Sequence, residues 1–325
     1  MLKQKIRVAV IGGGNMGRNH LRNYAVLPSA EPVALVDIDP KTKSLAAEYD
    51  AEYFTDYKKM LDKVQPDAVS IVVPTPLHAE VANEVIRRDI HCLLEKPITH
   101  TVKKADELIA LAKKHNVVFT VGHIEHYNPL IRKLKEMIDA GKVGKVTSVV
   151  CKRVGGFPKK EPGTDVIIDL AVHDIDIISH LLDKQPKKIY SHGSRTHHSR
   201  EIDSAEILMD YGEASGFVQA NWLTPVKIRT IAVTGSEGYL EGNYITQELE
   251  YYKHNMRKIR DGFSNFVIEM GDPKKEVIKV EFEEPLAVEL KAFLSNIQGS
   301  KTHLVAPQAA REALRLALDA VKNYS

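Results

Sequence analysis

Cysteine is scarce in this chain: Cys92 and Cys151 are the two thiols among 325 residues. Two thiols cannot build a disulfide framework, so a reducing cytoplasm is the expected compartment. Cys92 sits in the apolar run Cys92-Leu93-Leu94 and reads as a core thiol, not a nucleophile. Charge of one sign is lacking too. Lys and Arg number 45 against 43 Asp and Glu, a formal net charge of +2, and the two signs are interspersed. A nucleic-acid footprint needs basic charge clustered on one face, so no nucleic-acid partner is expected. Apolar runs stop at strand length, well short of the ~20 residues of a membrane span, and no membrane partner is expected. The first residues lead straight into a strand without a secretory apolar region. Metal-ligand spacing is missing. His197, His198 and Arg200 fall in a polar stretch, 192–203, that reads as a solvated loop. His123 and His126 are three apart but have no matching cysteine or acid pattern. No metal is expected, and no internal repeat is found.

What the chain does have is enough length for two domains, and 43% hydrophobic residues, a normal core complement. In the first half, apolar strands at 6–11, 32–37, 68–73, 92–94 and 117–121 alternate with helical patterns at 15–27, 41–48, 77–88 and 102–115. This alternation implies right-handed crossovers and a parallel sheet buried on both faces. It is the doubly wound plan of a dinucleotide-binding domain, expected over residues 1–122.

The glycines fit that plan. Gly12-Gly13-Gly14-Asn15-Met16-Gly17 follows the first strand and opens the first helix. Gly12 permits the tight turn. Gly14 clears the way for a pyrophosphate, and Gly17 lets helix and strand pack closely. The phosphates then meet unpaired N–H groups at a helix N-terminus, with Asn15 and Met16 in the first turn. Asp37 ends the second strand, 25 positions after Gly12. A carboxylate there binds ribose hydroxyls and repels a 2′-phosphate, which predicts NAD over NADP. Asp39 reads as a turn or cap residue before Pro40. Lys41 and Lys43 are close enough to blur the preference.

Two more segments end strands at the same expected edge. Pro74-Thr75-Pro76-Leu77-His78 follows the strand at 68–73. Thr75 is placed to contact cofactor. His78 serves two readings equally, cofactor contact or a packed residue of the helix it begins. Glu95-Lys96-Pro97 ends the next strand. Lys96 brings a positive charge that can polarise a substrate hydroxyl and stabilise alkoxide character as hydride leaves. Alone, the tripeptide is equally a surface ion pair.

The segment 165–178 is apolar nearly all round, so its helix is expected to be buried. It follows a flexible glycine- and proline-bearing loop at 155–163. Asp169 and His173 are four apart on one helical face, and Asp176 flanks them. A histidine oriented by a carboxylate is a suitable general base. For an isolated D-x-x-x-H, a satisfied core histidine is the commoner outcome. Arg153, at the end of a strand over 146–154, points inward by alternation if Lys152 points out, and is a candidate for a diphosphate. Short strands at 188–191, 205–211, 216–223 and 229–234 alternate between two faces, as an antiparallel sheet does. The face left open is expected to take a partner subunit, giving a homodimer or homotetramer. Helical patterns at 129–140, 286–297 and 307–321 read as packing elements.

Taken together, GGGNMG at 12–17, VPTPLH at 73–78, LLEKPI at 93–98 and DLAVHDID at 169–176 resemble the Gfo/Idh/MocA oxidoreductases, named for glucose–fructose oxidoreductase, inositol dehydrogenase and a rhizopine-catabolism protein. The resemblance covers essentially the whole chain. It implies an N-terminal Rossmann domain and a C-terminal α/β domain, residues 123–325, with a large, mostly antiparallel open sheet. It implies NAD(P)-dependent oxidation or reduction of a sugar or polyol hydroxyl, with Lys96, Asp169 and His173 around the reacting carbon and His173 as acid/base. Pro74, His78 and Glu95 join the cofactor-binding set, and His123 and Tyr127 the substrate-binding set. A narrower likeness lies in VGHIEHYNP at 121–129, KRVGGFP at 152–158 and ANWLTP at 220–225, which resemble nucleotide-sugar dehydrogenases. It implies UDP-N-acetylglucosamine oxidised at C3. His126 departs from the arginine that relatives often carry there. Two rivals are a dehydrogenase of a free polyol or sugar and a nonenzymatic NAD-binding regulator.

Overall fold

The computed structural model describes residues 4–157, 163–197, 200–260 and 266–323. Most of the expected flexible loop, 158–162, and His198 lie outside them. The chain forms two compact units. One joins Met1–Tyr127 to Glu283–Arg315, and the other joins Asn128–Phe282 to Leu316–Ser325.

The first unit begins β1 (Ile6–Ile11), α1 (Asn15–Val26), β2 (Ala30–Val36), α2 (Lys43–Glu48), β3 (Glu52–Phe54) and α3 (Tyr57–Val64). It continues β4 (Ala68–Ile71), α4 (Thr75–Ile86), β5 (His91–Leu94), α5 (Val102–His115) and β6 (Phe119–Val121). The six strands are parallel in the order β3-β2-β1-β4-β5-β6. Strand order reverses between β1 and β4, so the crevice outside their carboxyl ends is the expected ligand position. The sequence pattern misses β3 and α3. β3 is a three-residue edge strand with exposed Glu52, too short for a periodic signal. α3 is marked by its cap, Asp56, which accepts from the Lys58 N–H at 2.8 Å.

The second unit opens with α6 (Pro129–Asp139) and β7 (Val146–Val154). A π-helical turn, Ile167–Ala171, leads into α7 (Val172–Leu182). Then follow β8 (Lys188–Ser194), β9 (Ser204–Asp210), β10 (Ser215–Asn221), β11 (Ile228–Gly235), β12 (Gly238–Asn243), β13 (Leu249–Lys253), β14 (Met256–Arg260), β15 (Phe266–Met270) and β16 (Lys274–Ile278). Eight strands form one sheet in the order β16-β13-β12-β11-β7-β10-β9-β8, while β14 and β15 make a separate antiparallel pair. The large sheet is antiparallel apart from the β7–β10 pairing. α7 lies on β10 so closely that a Cβ on Gly216 would come within 2.8 Å of Ile178. α6 crosses β12 at Gly242, where a Cβ would stand 2.7 Å from Leu130. β12 escapes the sequence pattern because glycines occupy two of its buried positions. On the other face Tyr190, Leu208 and Val150 are 53%, 46% and 40% exposed. Register aligns them in one row with half-buried Phe217.

The last helices are α8 (Pro285–Ile297) and α9 (Pro307–Lys322). Leu286, Leu290, Phe293 and Leu294 of α8 join Val10, Leu21, Tyr24 and Leu35 in the core of the first unit. A single boundary after residue 122 therefore omits a return of the chain, and the apolar face of α8 is the reason for it. Among the described residues, no helix is long and apolar enough to cross a membrane.

Candidate active site

The glycine turn is shaped by contacts that only bare backbone allows. Gly12 has φ +108°, and a Cβ there would meet the Val72 carbonyl oxygen at 2.3 Å. Gly14 caps α1 without a side-chain hydrogen bond, and a Cβ on it would enter open space. The first N–H groups of α1 are thus presented to an anion. Asp37 follows β2 half-buried, accepting at one oxygen from Gly13 N–H and at the other from Asp39 N–H at 2.8 Å. Gly13, not singled out in the sequence, is needed here: a Cβ on it would crowd Thr42 and Asp37. Asp39 accepts from Lys41 N–H at 3.0 Å, as a capping residue does. Asn15 is exposed, while Met16 turns its side chain into the core. Glycine cradle, open helix end and ribose-height carboxylate fit a dinucleotide.

At the carboxyl ends of β4 and β5, Pro74 is exposed, and Thr75 begins α4 half-buried. His78 is buried, with Nδ1 2.8 Å from the Pro97 carbonyl oxygen and Nε2 2.9 Å from that of Val73. The ring thus sits between main-chain carbonyls of the two loops. Glu95 and Lys96 are half-buried, and the Lys96–Pro97 peptide is cis. Glu95 Oε1 lies 3.0 Å from His20 Nε2, and Oε2 accepts from Lys96 N–H at 3.2 Å. Burial alone would raise the Glu95 carboxyl. The His20 hydrogen bond and the charges of His20 and Lys96 outweigh it and hold Glu95 below the usual range. His20, a buried helix residue remote in sequence from Glu95, left no signal that sequence reasoning used.

Farther along the same unit, His123 and Tyr127 are 1% and 2% exposed. His123 meets His126 edge-on at 6.5 Å, and His126 stacks on His303 at 6.1 Å. Tyr127 packs with Ala292 and Val305, and its oxygen accepts from Val305 N–H at 3.2 Å. Tyr127, expected to bind substrate, is a core residue of this unit. α8 supplies that core, and its approach is invisible in the local sequence.

In the second unit Asp169 lies in the π-helical turn and His173 in the first turn of α7, both half-buried. The wider turn is a common feature of functional sites. Asp176 is buried, and so is Asp174, which sequence reading passed over. Arg153 is buried on the inner face of β7, as alternation predicts, but Asp174 takes it in a two-pronged ion pair at 2.7 and 2.9 Å. Tyr244 lies 4.9 Å from the guanidinium carbon. The charge expected to meet a diphosphate is neutralised inside the fold. Among the described residues, no group of histidine, cysteine and acid side chains is arranged to hold a metal.

Residues 6–123 match the family model of the oxidoreductase family with an NAD-binding Rossmann fold, and residues 131–241 match its GFO/IDH/MocA C-terminal domain. The chain belongs to the Gfo/Idh/MocA oxidoreductase family. Its cofactor is NAD, carried by the Rossmann domain. UDP-N-acetylglucosamine 3-dehydrogenase of Acidithiobacillus ferrooxidans is 26% identical over 96% of this chain and 95% of its own. A solved structure of that enzyme superposes with a TM-score of 0.86, covering 98% of both chains at 26% identity. The scyllo-inositol 2-dehydrogenase (NAD(+)) of Bacillus subtilis is 24% identical over 99% of this chain and 95% of its own. GenD2 from gentamicin A biosynthesis, solved in complex with NAD, shares the fold with a TM-score of 0.83 at 20% identity, covering 99% of this chain and 95% of its own.

Proposed function

We propose that this oxidoreductase uses NAD to oxidise a ring hydroxyl of a nucleotide-linked sugar to a keto sugar, with UDP-N-acetylglucosamine at C3 as the preferred substrate. The full-length similarity to an enzyme of that name supports the substrate. The roles rest on one observation: a half-buried lysine and a half-buried histidine with an acid one turn before it are presented by the elements where such chemistry is expected. Bound NAD supplies the hydride acceptor. Gly12, Gly14, Gly17 and the first turn of α1 hold its pyrophosphate, and Asp37 holds its ribose. Lys96 polarises the substrate hydroxyl. His173 takes the hydroxyl proton, and Asp169 orients the imidazole and stabilises its charged form.

A second reading, oxidation of a free polyol, is favoured by the Arg153–Asp174 pair. It withdraws a cation that a diphosphate would use. The similarity to scyllo-inositol 2-dehydrogenase agrees with it. NADH absorbance decides between them, measured with NAD⁺ and a panel of UDP-sugars, free sugars and inositols. Turnover of UDP-N-acetylglucosamine with silence on inositols supports the first reading, and the converse overturns it. His173→Ala should lower kcat by roughly 10²–10⁴-fold while NAD⁺ still binds. Full turnover in that variant removes the acid/base role. The scarcity of cysteine, with Cys92 and Cys151 both buried, suits the cytoplasm. The row Tyr190–Leu208–Phe217–Val150 suits pairing with a second copy through the large sheet.

A further inference from the structure

Glu289 is an acid of the first unit that the reaction above does not use. It sits on α8 among Leu286, Leu290 and Phe293. It is fully buried, and neither carboxyl oxygen has a hydrogen-bond partner among the described residues. Among the described residues, Glu95 and the phenols of Tyr24 and Tyr127 are near enough to interact with it electrostatically. Glu95 has what Glu289 lacks. It has His20 at one oxygen and the Lys96 N–H at the other. Gly122 passes so close that a Cβ there would stand 3.1 Å from the Glu95 carboxyl group.

Behind His20 the polar chain continues. His20 Nδ1 lies 3.1 Å from Ser70 Oγ, which lies 2.7 Å from Tyr24 Oη. A carboxylate at Glu95 accepts from His20 Nε2–H, and Ser70 and Tyr24 extend the polar chain behind the ring. Of two buried carboxyls that repel each other, the one without donors stays protonated. Only Glu95 has donors to stabilise a charge.

We propose that Glu289 is a neutral carboxylic acid that confines a single negative charge to Glu95, and that Glu95, held by His20, is a positioning residue for Lys96. Burial first, and the Glu95 charge second, push the Glu289 carboxyl well above its ordinary range. Lys96 thereby has one fixed countercharge on the adjacent residue. The positioning role rests on the assignment of Lys96 to the reaction; the protonation of Glu289 does not.

Infrared spectroscopy of the whole protein at neutral pH tests the protonation directly. A band in the protonated-carboxyl region, shifted in D2O and lost in Glu289→Gln, is expected. Its absence in the wild type, or its persistence in that variant, overturns the proposal. Should the variant fail to fold, the band of the wild type decides alone. For the positioning role, His20→Asn, which removes the hold on Glu95, should lower kcat by roughly 10²-fold with NAD⁺ affinity held within about threefold. An unchanged kcat, or NAD⁺ affinity lost in parallel with it, overturns the role. Full turnover in Lys96→Met instead refutes the assignment of Lys96, and the infrared result still stands.

Discussion

A Cβ on Gly17 would stand 1.8 Å from the carbonyl oxygen of Gly12. No rotamer relieves that clash, because both partners are backbone. Gly17→Ala must push α1 away from the turn and spoil the helix end that meets the pyrophosphate. The expected cost is about 1–3 kcal/mol or more in stability, with NAD⁺ affinity reduced at least about tenfold. Calorimetry and fluorescence titration read the two effects. An unchanged affinity contradicts the close approach.

Asp37 accepts from the main chain of Gly13 and Asp39, so its charge is fixed where a ribose would bind. Asp37→Ser should weaken NAD⁺ more than NADP⁺. The discrimination ratio is expected to fall by at least about tenfold, or ~1.4 kcal/mol. A ratio that does not move shows that selectivity lies elsewhere.

The Arg153–Asp174 pair carries two opposite charges with almost no access to water. Removing one partner strands the other. Asp174→Asn should destabilise the protein by about 3–5 kcal/mol, whereas Arg153→Met with Asp174→Leu should cost less. Denaturant melts of the single and double variants separate the cases. A double variant as unstable as the worse single one would show that the pair is not a closed charge unit.

His78 is poised between opposing influences. Burial lowers its pKa below the ordinary 6.5, while the Pro97 and Val73 carbonyls favour the charged ring, and burial wins. The unfolded chain therefore binds this proton at a higher pH than the native one. The stability that neutral His78 provides is present above pH 6.5 and is lost as pH falls through the lower native value. The melting temperature should drop as pH falls below about 6.5, and less steeply in His78→Gln. Parallel curves for the two proteins exclude His78 as the source.

Leu208 lies at the middle of the exposed apolar row on the large sheet. Leu208→Glu should convert an oligomer to monomers at micromolar concentration, read by light scattering. An unaltered molecular mass moves the interface off this face.

Alternation of apolar runs with helices made the Rossmann plan legible, because parallel strands are buried on both faces and read as unbroken apolar stretches. Gly12, Gly17 and Asp37 were legible for the same reason, since each has a fixed place relative to a strand end. β12 and β16 were not, because glycines fill buried positions of the one and charged residues most positions of the other. Arg153 was placed on the correct face, but its partner Asp174 was hidden among the acids of the 169–176 segment. Tyr127, His20 and Glu289 depend on contacts across long stretches of sequence, which no local pattern records.

The return of α8 ties the nucleotide domain to residues far downstream in the chain. Leu286, Leu290, Phe293 and Leu294 complete a core begun by Val8 and Val10. A fragment ending at Tyr127 would leave that core open on one side, with Tyr24 and Leu21 exposed. That core therefore cannot close until α8 has been made, and residues 1–127 alone are not a cassette that can be excised and moved.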